Sequence, residues 1–151
     1  MDSLKYYLAY GSNLDIRQMA LRCPGAEIAG TAVIEDYELL FKGSRGYAYL
    51  TIERKKGSTV PAGVWKVDEA HEAALDYYEG YPDFYYKAEM RLPVKGTDGK
   101  TELKDCFIYI MHEQHKLAWP SESYVEGCRA GYRDFGFDGK FIEAALNKSR
   151  K

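Results

Sequence analysis

Leu4-Lys5-Tyr6-Tyr7-Leu8-Ala9-Tyr10-Gly11-Ser12-Asn13-Leu14 is the stretch on which the reading of the fold turns. Leu4, Tyr6, Leu8 and Tyr10 alternate with Lys5, Tyr7 and Ala9, the two-residue period of a strand. Gly11-Ser12-Asn13 breaks that period. Ser12 or Asn13 can then cap a short helix through about Arg22, stopped by Pro24-Gly25. A glycine turn leading from strand into helix aims backbone N–H groups at a helix N-terminus, a geometry that holds carboxylate or phosphate without a charged side chain. A plain capped turn uses the same residues, so the segment alone leaves both readings open.

Outward from this unit, strands are expected around Thr31–Phe41, Tyr47–Glu53 and Val60–Val67, the first two separated by the turn Gly43-Ser44-Arg45-Gly46. Asp68 caps a helix whose Ala70, Ala73, Ala74, Tyr77 and Tyr78 fall at helical spacing, and Gly80 followed by Pro82 ends it. His71 sits among the charges of that helix and reads as solvated. Two strands, about Phe84–Val94 and Thr101–Met111, flank the hairpin signal Asp98-Gly99. Ser123-Tyr124-Val125-Glu126 fits a capping box for a helix starting near Pro120–Glu122, in which Gly127 and Gly131 suggest close packing. Asp138 caps a last helix with Phe141, Ile142, Ala145 and Leu146 on one face, before a frayed basic end at Lys148-Ser149-Arg150-Lys151. The sum is an α+β chain: a mostly antiparallel sheet or small barrel with helices packed against it.

With 151 residues the expectation is one domain spanning 1–151, long enough to bury a core without disulfides or structural metal. Lys plus Arg number 21 against 23 Asp plus Glu, so the net charge of −2 argues against a nucleic-acid partner. The start Met1-Asp2-Ser3-Leu4-Lys5 lacks a signal-peptide pattern, and no apolar run is long enough for a membrane helix. Cys23, Cys106 and Cys128 are odd in number and widely spaced, which fits the cytoplasm rather than a disulfide framework; Cys106 alternates with Ile108 and Ile110 and reads as core. Tyrosine stands out, with 14 against 6 Phe, and a ring with a polar tip suits a polar-lined cleft or an interface as well as core.

Glu79 falls in the last turn of its helix, inside Leu75-Asp76-Tyr77-Tyr78-Glu79-Gly80-Tyr81-Pro82. There the macrodipole disfavours the ionised carboxylate, and flanking tyrosines can exclude water, so a raised pKa suited to general acid–base work is expected. A solvated helix-end glutamate is the plain alternative. Asp76, one turn earlier, is either a competitor for that role or a second charge that raises the pKa of Glu79. His112-Glu113-Gln114-His115 superficially resembles HExxH, but the histidines are three apart and no third ligand is evident; a polar loop and no metal site is the reading. Ser44 lies in Gly43-Ser44-Arg45-Gly46 rather than GxSxG, the cysteines have no local histidine, and neither a P-loop nor GxGxxG is present.

Together these segments resemble the γ-glutamylcyclotransferase-like superfamily, which also includes γ-glutamylamine cyclotransferases and the plant avirulence-induced proteins. Leu8-Ala9-Tyr10-Gly11-Ser12-Asn13-Leu14 looks like its YGSNL loop. Leu75-Asp76-Tyr77-Tyr78-Glu79-Gly80-Tyr81-Pro82-Asp83-Phe84-Tyr85 is similar to its LDxxEGxPxxY segment. Cys106-Phe107-Ile108-Tyr109-Ile110-Met111 resembles the following strand, and Pro120-Ser121-Glu122-Ser123-Tyr124 its PSxxY helix start. Order and spacing agree from about Leu4 to Phe137.

The resemblance implies a small mixed, mostly antiparallel β-barrel with flanking helices. It implies Glu79 as the catalytic acid–base and a substrate site lined by Tyr10, Gly11, Ser12, Asn13, Leu14, Tyr85, Tyr109 and Tyr124; Tyr86 can replace Tyr85 by a one-residue shift to the other sheet face. The implied reaction is attack of the α-amino group of an L-γ-glutamyl compound on its own γ-carbonyl, releasing 5-oxoproline and an amine. It needs no metal, cofactor or protein nucleophile, so the partner is a small γ-glutamyl molecule, without nucleic acid or membrane. The EGYP form is similar to the amine-specific branch and PSxxY to the amino-acid-derivative branch, so the leaving group stays open, as does the oligomeric state. A non-catalytic module that keeps the cavity and holds a small anion is the alternative function.

Overall fold

The computed structural model describes residues 4–150. Met1–Ser3, on which the signal-peptide reading partly rests, and Lys151 lie outside the described residues.

The strands are β1 (Lys5–Ala9), β2 (Glu27–Ser44), β3 (Tyr47–Val67), β4 (Tyr85–Gly96), β5 (Thr101–Met111) and β6 (Lys116–Leu117). The helices are α1 (Ile16–Arg22), α2 (Glu69–Glu79), α3 (Glu122–Phe135) and α4 (Lys140–Lys148), with a 3-10 turn at Ser12–Leu14. The strand order is β3-β1-β5-β4-β2, and β2 pairing back onto β3 closes it into a five-stranded barrel, with β6 added on β2. Only β1 and β5 run parallel, through Tyr6↔Cys106 and Tyr7↔Phe107; the other pairs are antiparallel. The expected α+β barrel is therefore present. In β1 and just after it, Tyr7, Leu8, Ala9 and Tyr10 are all buried, because neighbours cover both faces of this strand.

The sequence breaks the chain between Glu53 and Val60; instead β2 and β3 form one long hairpin. Its outer part, where Glu35 faces Thr59 and Tyr37 faces Arg54, projects largely exposed residues, so the apolar alternation that marks a buried strand is missing there. Asp36, at φ 63°, forms the irregularity, and its Oδ1 accepts the Gly57 N–H at 2.9 Å.

Three caps shift by one to three positions. Ser12 and Asn13 do not cap α1: Leu14 and Asp15 N–H bond back to Gly11 and Ser12 carbonyls at 3.1 and 3.0 Å, closing the 3-10 turn, and Asp15 caps α1 by accepting from Arg17 N–H at 3.0 Å. Ser121, not Ser123, caps α3 through the Tyr124 N–H, because it is the last extended residue before the helix. Gly139 occupies the cap position of α4, while Asp138 Oδ1 accepts the Lys140 N–H at 2.9 Å.

His71 is not solvated. It completes a reciprocal capping box with Asp68 and reaches the Pro24 carbonyl at 2.6 Å. The C-terminal end is held as well: Lys148 pairs with Glu38, Ser149 is buried and Arg150 lies over the Trp119 ring.

Candidate active site

β1 leaves the barrel at Ala9 and delivers Tyr10, Gly11, Ser12 and Asn13 into a cavity of about 250 Å³. Two helices lock the turn that follows. Leu14 is fully buried, and a Cβ on Gly131 of α3 would sit 2.6 Å from Leu14 Cβ and 2.7 Å from Asp15 N. Gly131 is therefore a point of backbone approach, whereas Gly127 has only an ordinary contact with Gln18 at 3.6 Å. Asn13 is held from three sides: Trp65 Nε1 donates to its carbonyl at 3.0 Å, its Nδ2 donates to Tyr7 Oη at 2.9 Å, and Arg22 donates to its Oδ1. Leu14 departs from the expected site. It does not line the cavity, its side chain is core, and its amide is used within the turn.

α2 supplies Glu79. Gly80, left-handed at φ 65°, ends the helix immediately after it, with its N–H bonded to the Asp76 and Tyr77 carbonyls. Glu79 is half-buried and lines the cavity, and it is the only carboxylate among the described lining residues. Burial pushes its pKa up to about 7, against a smaller downward pull from Arg22. Burial is thus the leading cause, and Asp76 is not among the causes. Asp76 accepts from Tyr109 Oη at 2.6 Å and pairs with Lys87 at 2.9 Å, and the same lysine bonds Glu72 at 2.7 Å.

The remaining wall is aromatic. Tyr7, Tyr10, Tyr49, Tyr78, Tyr85, Tyr109 and Tyr124 line the cavity, seven of the chain's 14 tyrosines, together with Leu8, Leu50 and Phe84. Tyr85, not Tyr86, faces it; Tyr86 lies on the opposite sheet face, where its hydroxyl donates to Glu113. Tyr10 donates to the Tyr109 carbonyl at 2.6 Å and Tyr85 to the Leu50 carbonyl at 2.7 Å, while Tyr124 Oη accepts from Leu50 N–H at 3.0 Å. Burial raises the pKa of Tyr7, Tyr10, Tyr85, Tyr109 and Tyr124, and the Glu79 charge adds to the rise in each. These phenols stay neutral, so Glu79 is the lining group poised to exchange a proton near neutrality.

Six lining residues carry no site signal in the sequence: Tyr7, Leu8, Tyr49, Leu50, Tyr78 and Phe84. Tyr78 and Phe84 lie in the segment that carries Glu79, and Tyr7 and Leu8 in the strand before Gly11. Tyr49 and Leu50 come from β3 and carry no local signal. The His112–His115 loop lies elsewhere: His112 bonds the Pro82 carbonyl at 2.7 Å and His115 packs on Phe84.

A small mixed barrel with one carboxylate in a tyrosine-walled cavity, fed by a strand–glycine–helix turn, defines a narrow class. The chain belongs to the family described as gamma-glutamyl cyclotransferase, AIG2-like, which matches residues 7–126. It is 30% identical over 144 residues to the gamma-glutamylcyclotransferase of Homo sapiens, covering 91% of this chain and 74% of that protein. The Bos taurus gamma-glutamylcyclotransferase is 30% identical over 139 residues, covering 86% and 71%. A solved gamma-glutamyl cyclotransferase superposes with a TM-score of 0.76 at 27% identity, covering 95% of this chain and 86% of that one. No helix among the described residues is long and apolar enough to cross a membrane.

Proposed function

We propose that the chain is a cyclotransferase acting on a small L-γ-glutamyl compound, with Glu79 as its acid–base. The observation that carries this reading is Glu79 itself: a carboxyl whose pKa is pushed by burial to about 7 on the wall of a small cavity. Ring closure has its nucleophile within the substrate, so the protein's tasks are folding, proton transfer and charge stabilisation. Glu79 removes a proton from the α-ammonium. The freed nitrogen attacks the γ-carbonyl carbon, forming the ring C–N bond, and the original amide C–N bond breaks. Glu79 returns that proton to the departing nitrogen, and the second proton that the ring nitrogen sheds in becoming the lactam N–H follows the same route, so that the amine leaves as an ammonium.

In this reading the amides of Gly11, Ser12 and Asn13 hold the substrate carboxylate or the developing oxyanion. The amides of Ser12 and Asn13 precede the first donor closed within the 3-10 turn, Leu14 N–H, and are left at its open end. Tyr10, Tyr85, Tyr109 and Tyr124 form the walls that fold the γ-glutamyl chain. A site serving only to bind an anion is disfavoured by a carboxylate in its wall.

The test is 5-oxoproline release from a panel of γ-glutamyl amino acids, amines and peptides, with product measured directly. Turnover of at least one member is expected. Tight binding of 5-oxoproline or glutamate without any turnover would overturn the reading in favour of a binding module.

A further inference from the structure

The cavity has two unlike ends. Tyr10, Gly11, Ser12, Asn13 and Tyr109 are buried, whereas Tyr49 and Phe84 line the same cavity but are only partly buried; Tyr78 is more exposed still, but its hydroxyl lies 3.4 Å from Ser12 Oγ, beside the glycine turn. At about 250 Å³ the whole cavity is smaller than a typical small-molecule pocket of roughly 300–1,000 Å³, so with the glutamyl part held at the glycine turn the rest of the substrate extends toward Tyr49 and Phe84.

That end is walled by rings that fix one another. Tyr49 meets Phe84 edge-on at 6.1 Å and Tyr124 at 5.1 Å, so it presents a preorganised aromatic surface. No lysine, arginine or histidine lines the cavity among the described residues. The nearest cations sit behind the wall rather than in it: Arg22 stacks on the Tyr78 ring and donates to Asn13, and Lys87 pairs with Asp76 and Glu72. A carboxylate on the leaving group therefore finds no cation beside Tyr49 and Phe84 among the described lining residues, and shares the cavity with Glu79.

We propose that Tyr49 and Phe84 form an aromatic subsite for the departing amine, selecting γ-glutamyl compounds whose leaving group is uncharged and apolar, best of all aromatic. The inference rests on the cyclotransferase reading and adds the class of amine released. Tyr49 and Phe84 are its specificity-determining residues, contacting the leaving group rather than the atoms that react.

The experiment compares kcat/KM for 5-oxoproline release in two matched pairs. The γ-glutamyl derivative of benzylamine against that of ethylamine isolates the ring. The derivative of phenylalaninamide against that of phenylalanine isolates the carboxylate. The benzylamine derivative is expected to be favoured by roughly tenfold or more, and the amide over the acid by several-fold. Tyr49→Leu and Phe84→Leu should each pull the benzylamine-to-ethylamine ratio towards one. A ratio near one in the unaltered protein, or an unchanged ratio in both variants, overturns the subsite while leaving the cyclotransferase reading standing. If a variant fails to fold, the ratio in the unaltered protein decides alone. Absence of 5-oxoproline from every γ-glutamyl compound overturns both.

Discussion

Asp76 and Glu79 stand one turn apart on α2 but meet different neighbours. Asp76 is held between the Tyr109 hydroxyl and the Lys87 ammonium, and so fixes a cavity wall. Glu79 accepts no hydrogen bond from the described residues and faces the cavity. Asp76→Asn keeps an acceptor for Tyr109 and loses only the charge on Lys87. Turnover is expected to fall by less than about tenfold, well short of the roughly 100–10,000-fold range of a lost acid–base group. A loss as complete as that at Glu79, measured as kcat for 5-oxoproline release, would reassign the base.

The raised pKa of Glu79 also has a thermodynamic sign. Its folded value, about 7, lies above the ordinary 4.5. The folded state thus holds the extra proton between those values. The associated stability is complete below about pH 4.5 and is lost as pH rises through about 7. Glu79→Gln removes the ionised form, so relative to the unaltered protein it should gain up to about 3 kcal/mol at pH 8 and little at pH 4.5. Urea unfolding at the two pH values checks this. An equal difference at both would show that Glu79 does not carry a raised pKa.

Between α3 and the Ser12–Leu14 turn the deciding contact is a missing side chain. Alanine at Gly131 would drive its Cβ into Leu14 and Asp15 backbone, so a loss of roughly 1–3 kcal/mol is expected, with slower turnover as the turn shifts. Alanine at Gly127 meets only Gln18 at 3.6 Å and should stabilise α3 by up to about 1 kcal/mol. Chemical denaturation of the two variants checks the contrast, and equal destabilisation would remove the positioning role given to Gly131. The capped end of α2, the Asp98-Gly99 hairpin and the strand before Gly11 were legible because their signals are local. The Glu53–Val60 bridge of β3 was not. Its polar residues face solvent on a hairpin stabilised by the partner strand, so no apolar period marks it. The true cap at Asp15 was hidden for a related reason: burial of Leu14, which pulls the chain into a tight turn first, is tertiary.

At the scale of the molecule, the barrel closes a cavity from segments far apart in the chain. Tyr10, Glu79, Tyr85, Tyr109 and Tyr124 meet there, each from a segment whose motif could be read. Tyr49 and Leu50 join them only because β3 pairs with both β1 and β2, a relation that no local pattern announces. The tyrosine surplus takes its meaning at this scale, since half of those rings line one cavity and surround one carboxyl. The most direct measurement of the central claim is 5-oxoproline release by Glu79→Gln on whichever γ-glutamyl compound the unaltered protein turns over. The account predicts a folded variant whose kcat falls by roughly 100-fold or more. A folded variant that keeps near-normal release would contradict it.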